Sequence, residues 1–385
     1  MKPKILIIHA STGNGHISAA IAVEAELKRL GADVKVIDGL DYAPPAFKTW
    51  YGGGYEATVR SAPEAWGWLY RISDVNGFAF RVQSFADNLF LKRLEDLIDI
   101  YQPHLVLCTH SLPQPKLNVL RETIPFKFAV VVTDLYPHLM WQRGKPDWFF
   151  LPQPWSLTEL AKRMPEAADK YTITGIPVHA AFGERPDLRE AKEKLDLDPD
   201  YPVALLTAGG IGAGDFEGAV EVLTKIKDLQ ILIVCGRNDR MYEKISASEE
   251  KGIAKEVRVL RRLPVTDMAK LMHGSDFIIG KPGGLTVSEA LAAGKAFIVH
   301  EPFLIPGQEE DNARFLVEQG IGRFTKTNEE LETVVRELVE QPETLKSMTE
   351  NAQRCGKPHA AVEIAVKVLE LAAESGVARG QAATA

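Results

Sequence analysis

The sequence predicts an α/β protein of two doubly wound domains, each a parallel sheet covered by helices on both faces. Three observations carry this. Runs such as Ile5-Leu6-Ile7-Ile8 and Phe128-Ala129-Val130-Val131-Val132 are apolar at every position, which suits strands buried on both faces. These runs alternate with helical patterns in two successive sets. Strands in both sets run into glycine-rich turns that open helices, as at Gly13–Gly15 and Gly283-Gly284. At 385 residues the chain is long enough for each domain to bury its own core.

The first set places strands at Lys4–His9, Asp33–Asp38, Leu105–Thr109, Phe128–Thr133 and Trp148–Leu151, with another near Tyr171–Thr174. The second places them at Pro202–Thr207, Gln230–Cys235, Val257–Leu260, Asp276–Gly280 and Ala296–His300. A helix follows the first strand to about Leu30, with Gly31 as its stop. The junction falls in the proline-rich, charged stretch Thr174 to Pro202. The expected division is 1–175, 176–356 and a C-terminal segment 357–385, helical from about Pro358 to Ala373 and then fraying.

Composition narrows the function. Hydrophobic residues at 45% and charged residues at 25% are those of an ordinary globular protein, and a net charge of −7 argues against nucleic acid as the partner. The three cysteines, Cys108, Cys235 and Cys355, stand far apart with no zinc-type spacing, so free thiols in a reducing compartment are expected. The N-terminal apolar run stops at His9, too short for a signal peptide, and no stretch approaches the ~20 apolar residues of a membrane span. Membrane contact is therefore expected to be peripheral.

The second half carries the densest chemistry. Asp276 to Ile279, the turn Gly283-Gly284 and a helix opened by Thr286 form a strand–turn–helix unit whose free amides suit a phosphate. Glu289, a turn inside that helix, suits two neighbouring sugar hydroxyls, and Gln308 and Glu309 add polar groups from the next loop. Phosphate, ribose and a second sugar make a sugar nucleotide. Gly209 and Gly210, in the loop after the Pro202–Thr207 strand, form a second phosphate-friendly loop, and Arg237 ends another strand as a candidate phosphate contact or surface cation.

In the first half, His16 sits inside the glycine loop, where an imidazole can take a proton from a hydroxyl or simply bond its own loop. Gly13-x-Gly15-x-x-Ser18 departs from the dinucleotide fingerprint at Ser18. Asp134, following the Phe128–Thr133 strand, is a candidate assistant to His16, a base itself, or a cap. His110 is a weaker candidate at the end of the third strand. Aromatics crowd the stretch from Phe47 to Phe90, including Trp50, Tyr55, Trp66, Trp68, Phe78, Phe80 and Phe85, interleaved with Arg60, Arg71, Arg81, Lys92 and Arg93. Such a mixture suits either an anionic membrane interface or a packed helical insertion.

In this order and spacing, GNGHISAA, THSLPQ, VTDL, TGIPV, CGRN, KPGGLTVSEA and PGQEEDNARF resemble the monogalactosyldiacylglycerol synthase and processive diacylglycerol glucosyltransferase group of glycosyltransferase family 28. That family also holds the GlcNAc transferase making lipid II. The resemblance spans about Lys4 to Lys357; Asn14 interrupts the glycines before the histidine, and Pro282-Gly283-Gly284 is closer to the bacterial glucosyltransferases.

The resemblance implies a GT-B fold: two Rossmann-like domains facing across a cleft, with the last helix crossing back to the first. It implies an inverting, metal-independent transfer of a hexose from a UDP-sugar to diacylglycerol or a related lipid, with no cofactor. It also implies a cytoplasmic enzyme held at the inner face of the cell membrane. Carried over, His16 matches the glycine-loop histidine. Gly209 and Gly210 match the diphosphate loop, Gly283, Gly284 and Thr286 the second phosphate turn, and Glu289 the ribose ligand. Gln308, Glu309 and Asn312 match the donor-sugar loop, and Trp141 with the aromatic insertion falls at the acceptor and lipid. Three rivals share parts of this pattern: a UDP-GlcNAc transferase acting on a polyprenyl-linked sugar, a UDP-GlcNAc 2-epimerase, and a non-catalytic UDP-sugar sensor.

Overall fold

The structure, a computed structural model, describes residues 2–54, 58, 62–74, 93–163, 169–207, 215–247 and 254–383. Of the residues singled out above, Tyr55, Arg60, Phe78, Phe80, Arg81, Phe85, Phe90, Lys92, Gly209 and Gly210 lie outside these. The chain forms two compact units, Met1–Val178 with His359–Ala385, and His179–Pro358.

The first unit is built on a six-stranded sheet of β1 (Lys4–His9), β2 (Asp33–Asp38), β3 (Leu105–Cys108), β4 (Lys127–Val131), β5 (Trp148–Leu151) and β6 (Tyr171–Ile173). The strand order is β2-β1-β3-β4-β5-β6, and neighbouring strands run parallel throughout. Alternation along β1 explains its unbroken apolar run. Leu6 and Ile8 enter one core with Val106, Cys108 and Val130, while Ile5 and Ile7 enter the opposite core with Leu107, Ala129 and Val131.

That second core is closed by the end of the chain. The helix Ala360–Ala383 brings Ile364, Ala365, Val368 and Leu371 against Ala20, Val23 and Leu27 of the Asn14–Arg29 helix. Ile364 is fully buried. Ile364→Ala should therefore cost about 2–5 kcal/mol, read as a lower urea midpoint for the first unit; an unchanged midpoint would contradict this packing. The final helix runs past the expected Ala373 into the segment expected to fray. Its alanines lose little side-chain entropy in a helix, and no proline interrupts it.

The second unit repeats the plan with β7 (Val203–Thr207), β8 (Gln230–Val234), β9 (Glu256–Leu260), β10 (Phe277–Gly280), β11 (Ala296–His300) and β12 (Gly322–Thr325), in the order β12-β11-β10-β7-β8-β9. The strand β12 was not foreseen. It is a short edge strand whose Gly322 and half-exposed Arg323 dilute the apolar signal.

Each sheet has one place where successive strands leave in opposite directions: between β1 and β3 in the first, between β7 and β10 in the second. Loops beyond the carboxyl ends of strands diverge there and leave room for a ligand. The helix that follows β1 carries His16 in its first turn, the loop after β3 carries His110, and the turn after β10 carries Gly283 and Gly284.

Candidate functional site

In the first unit the chain leaves β1, turns at Gly13 and enters the Asn14–Arg29 helix. Gly13 has φ +137°, a conformation other residues seldom adopt, and supplies no side-chain cap to the helix it precedes. His16 lies in the first turn of that helix. Its Nδ1 is 3.0 Å from the Thr109 carbonyl and 2.8 Å from Thr133 Oγ1. A carbonyl only accepts, so the ring proton sits on Nδ1, and the Thr133 hydroxyl turns its own hydrogen to the same carbonyl. Nε2 is left with its lone pair and takes no partner among the described residues. Thr109 Oγ1 in turn donates to the His16 carbonyl at 2.9 Å, which fixes the loop to β3. Burial holds the imidazole pKa down at about 4, so the ring is neutral through the physiological range.

Two other histidines, His110 and His138, are committed, whereas the buried His9 Nδ1 has no hydrogen-bond partner among the described residues. His110 Nδ1 accepts from the Leu112 amide at 3.0 Å, which puts its proton on Nε2, bonded to Thr12 Oγ1 at 3.1 Å. Its ring stands edge-on to His16 with centroids 4.6 Å apart. His138 likewise accepts from Met140 on Nδ1 and donates from Nε2 to the Tyr70 carbonyl. Of His16, His110 and His138, it is His16 that has a nitrogen in a form to accept a proton from a ligand.

Asp134 does not serve His16. It accepts from Trp141 Nε1 at 3.0 Å, while its neighbour Thr133 faces His16. Trp141 is correspondingly 1% exposed, a core residue 6.2 Å from the His16 ring rather than a surface contact for lipid. Trp68 behaves differently. On the helix Pro63–Ser73 it is 60% exposed, on the same outward stripe as Arg71 and Ile72, whereas Trp66 is half-buried. Trp50 lies in the helical turn Thr49–Gly53.

In the second unit the helix after β10 runs Gly284–Ala292, with Gly283 as its cap residue. It therefore opens two residues before Thr286, which lies in the first turn and cannot cap it. Among the described residues no side chain caps this helix, so its first amides lack a side-chain partner. Gly283 is needed for room rather than for φ: a Cβ there would lie 3.3 Å from Glu309 Oε1 and 3.4 Å from Lys281 Nζ. Glu289, on the same helix, has no hydrogen-bond or charged partner among the described residues. Burial alone raises its pKa to about 8.

The loop after β11 is tied to this turn. Glu309, 3% exposed, pairs with Lys281 and accepts from the Ile305 amide at 2.9 Å. Asn312 donates from Nδ2 to the Pro282 carbonyl at 2.8 Å, and its buried Oδ1 has no hydrogen-bond partner among the described residues. Gln308 is half-buried beside them in the loop turn. Arg237 is exposed after β8. The structure thus gathers Gly283, Gly284, Thr286, Glu309 and Asn312 at one turn. Sequence reasoning missed Lys281, although a lysine immediately before a phosphate-type turn was visible, and missed Thr109 and Thr133, which only the pairing of distant strand ends could reveal.

Among the described residues no three His, Cys, Asp or Glu side chains converge as a metal site would need, and no helix is long and apolar enough to cross a membrane.

Comparison with known proteins accords with this geometry. The Monogalactosyldiacylglycerol (MGDG) synthase family model matches residues 16–178, and the Glycosyltransferase family 28 C-terminal domain matches residues 204–364. The chain is 30% identical to monogalactosyldiacylglycerol synthase 1, chloroplastic, of Arabidopsis thaliana, over 96% of this chain and 71% of the plant protein. It is 27% identical to the processive diacylglycerol beta-glucosyltransferase of Bacillus subtilis, over 90% of each. Among solved structures, the MurG of Acinetobacter baumannii covers 96% of this chain and 99% of its own at TM-score 0.64 and 17% identity. A UDP-N-acetylglucosamine 2-epimerase follows at TM-score 0.57 and 16% identity, over 94% of this chain and 95% of its own. These structural likenesses establish the GT-B fold. Because a transferase and an epimerase both share it, the fold alone does not select the reaction.

Proposed function

The chain belongs to the monogalactosyldiacylglycerol synthase family of glycosyltransferases, and from that premise we propose that it moves a hexose from a UDP-sugar to the hydroxyl of diacylglycerol or a related membrane lipid. The observation that supports the mechanism best is the fixed tautomer of His16, whose Nε2 lone pair is held ready while its other nitrogen is engaged. The acceptor hydroxyl gives its proton to Nε2 as its oxygen attacks the anomeric carbon of the donor. Attack opposite the departing UDP inverts that carbon. Asp134 acts by holding Trp141 against the His16 site.

Charge gathers on the diphosphate as it leaves. The uncapped amides at Gly284 and the helix dipole behind them suit that charge, with Gly209, Gly210 and Arg237 as further phosphate contacts, and this reading requires no metal. Turnover should accordingly be unchanged in excess EDTA; loss that added magnesium or manganese restores would contradict it. Glu289 takes the ribose hydroxyls, and Gln308, Glu309 and Asn312 take the hexose. The exposed Trp68 and Ile72, with Arg71 on the same helix face, suit shallow contact with an anionic bilayer and support a location at the inner face of the cell membrane.

The test is incubation with UDP-glucose, UDP-galactose and UDP-GlcNAc over vesicles containing diacylglycerol, with products identified by mass. The proposal expects a hexosyl-diacylglycerol and free UDP. Conversion of the sugar nucleotide without lipid, transfer only to a polyprenyl-linked sugar, or binding without turnover would each replace it.

A further inference from the structure

Two facts about Lys281 and Glu309 pull in different directions. They form an ion pair in which the Glu309 side chain is 4% exposed and that of Lys281 15%. A buried pair of this kind is costly to break, because whichever partner is left behind keeps a charge without an opposite. Yet the pair lies directly against Gly283, at the turn whose bare amides suit a diphosphate. A diphosphate arriving there meets a lysine within reach and competes with Glu309 for it. If it won alone, Glu309 would keep only the Ile305 amide on a buried carboxylate.

We propose that the Lys281–Glu309 pair is a latch that only the complete sugar nucleotide opens at low cost: the diphosphate takes Lys281 while hexose hydroxyls take the released Glu309 oxygen. This rests on the donor site read above. It assigns Lys281 to the leaving group, beside the Gly284 amides. It also makes recognition of the two ends of the donor interdependent. UDP alone bears the cost of an unpaired Glu309 and is held weakly. Once the hexose has been transferred, Glu309 reclaims Lys281 and the spent nucleotide is expelled. The neighbouring bond from Asn312 to the Pro282 carbonyl keeps the two loops in register while the pair opens.

The latch makes a prediction of unusual sign, read by calorimetry on the full chain with UDP and with UDP-glucose and UDP-galactose, whichever binds tighter, in the absence of lipid. Glu309→Gln keeps an oxygen for the Ile305 amide but frees Lys281. UDP should bind at least 5-fold tighter while the UDP-hexose binds at least 5-fold weaker. Lys281→Gln should weaken UDP and the UDP-hexose alike, each at least 10-fold, because both ligands take Lys281 and release Glu309 in the wild type. In the double variant Glu309→Gln should no longer tighten UDP. Loss of affinity for both ligands in Glu309→Gln, or an undiminished affinity for UDP in Lys281→Gln, would overturn the latch. The Lys281→Gln affinity for UDP decides alone if Glu309→Gln melts early. A wild-type chain that binds no UDP at all would instead overturn the donor site itself.

Discussion

Replacing His16 with asparagine should lower lipid glycosylation by about 100- to 10,000-fold while UDP binding survives. Asparagine is the informative choice. Its amide nitrogen falls near the position of Nδ1 and can still donate to the Thr109 carbonyl, so the loop keeps its anchor, but nothing occupies the place of Nε2. Loss of activity then reports the missing base rather than a misplaced loop. Turnover near that of the wild type, in an assay following a labelled UDP-sugar, would remove His16 from the mechanism.

The acidity of the same residue gives a second view of it. With a pKa near 4, His16 is already in its accepting form at any pH above about 5. The kcat/KM profile should therefore show no acidic limb from this residue between pH 5 and 8, and should fall only as pH drops through about 4. A limb centred near 6.5 would mean that the imidazole is not desolvated as the structure has it. The same burial bears on stability. His16, His110, His138 and His300 all have pKa values lowered by burial, so the unfolded chain binds protons at these sites before the folded one does. Stability should decline as pH falls below about 6.5.

Glu289→Gln should weaken UDP binding by roughly 10- to 150-fold, the equivalent of about 1.5–3 kcal/mol for hydrogen bonds to a charged group. Without ligand the effect is reversed. The Glu289 carboxyl has no partner among the described residues, and burial raises its pKa to about 8. Between its ordinary pKa of 4.5 and about 8, the folded protein holds a proton that the unfolded chain has released, so stability falls as pH rises through that window. Glutamine cannot ionise and removes this dependence. The ligand-free variant should thus melt higher than the wild type at pH 8 while binding UDP worse. A residue that opposes stability until a ligand arrives is better explained by the ligand than by the fold. If Glu289→Gln lost both stability and affinity, the carboxyl would have a structural partner and the ribose assignment would fail.

These expectations show where the sequence was readable. The strands β1, β4 and β7 were legible because residues such as Ile5 to Ile8 are apolar on both sides, a pattern only a doubly covered parallel sheet needs. The helix at Gly284 was legible from its glycines, but its start was read at Thr286, whereas it begins two residues earlier behind a glycine cap. Pairings across the fold were not legible. Nothing near Asp134 in sequence says that it turns to Trp141 while Thr133 turns to His16, and nothing near Lys281 says that Glu309 will meet it. Local chemistry marks which residues are available, and only the sheet order decides which of them meet.

The central claim is that the second unit holds UDP by the bare amides at the start of the Gly284–Ala292 helix and by Glu289. A crystal structure of the full chain soaked with UDP tests it most directly. The account predicts a phosphate within hydrogen-bond distance of the Gly284 amide, with a ribose hydroxyl on the Glu289 carboxylate. Nucleotide bound elsewhere, with this turn and Glu289 still bare, would contradict it.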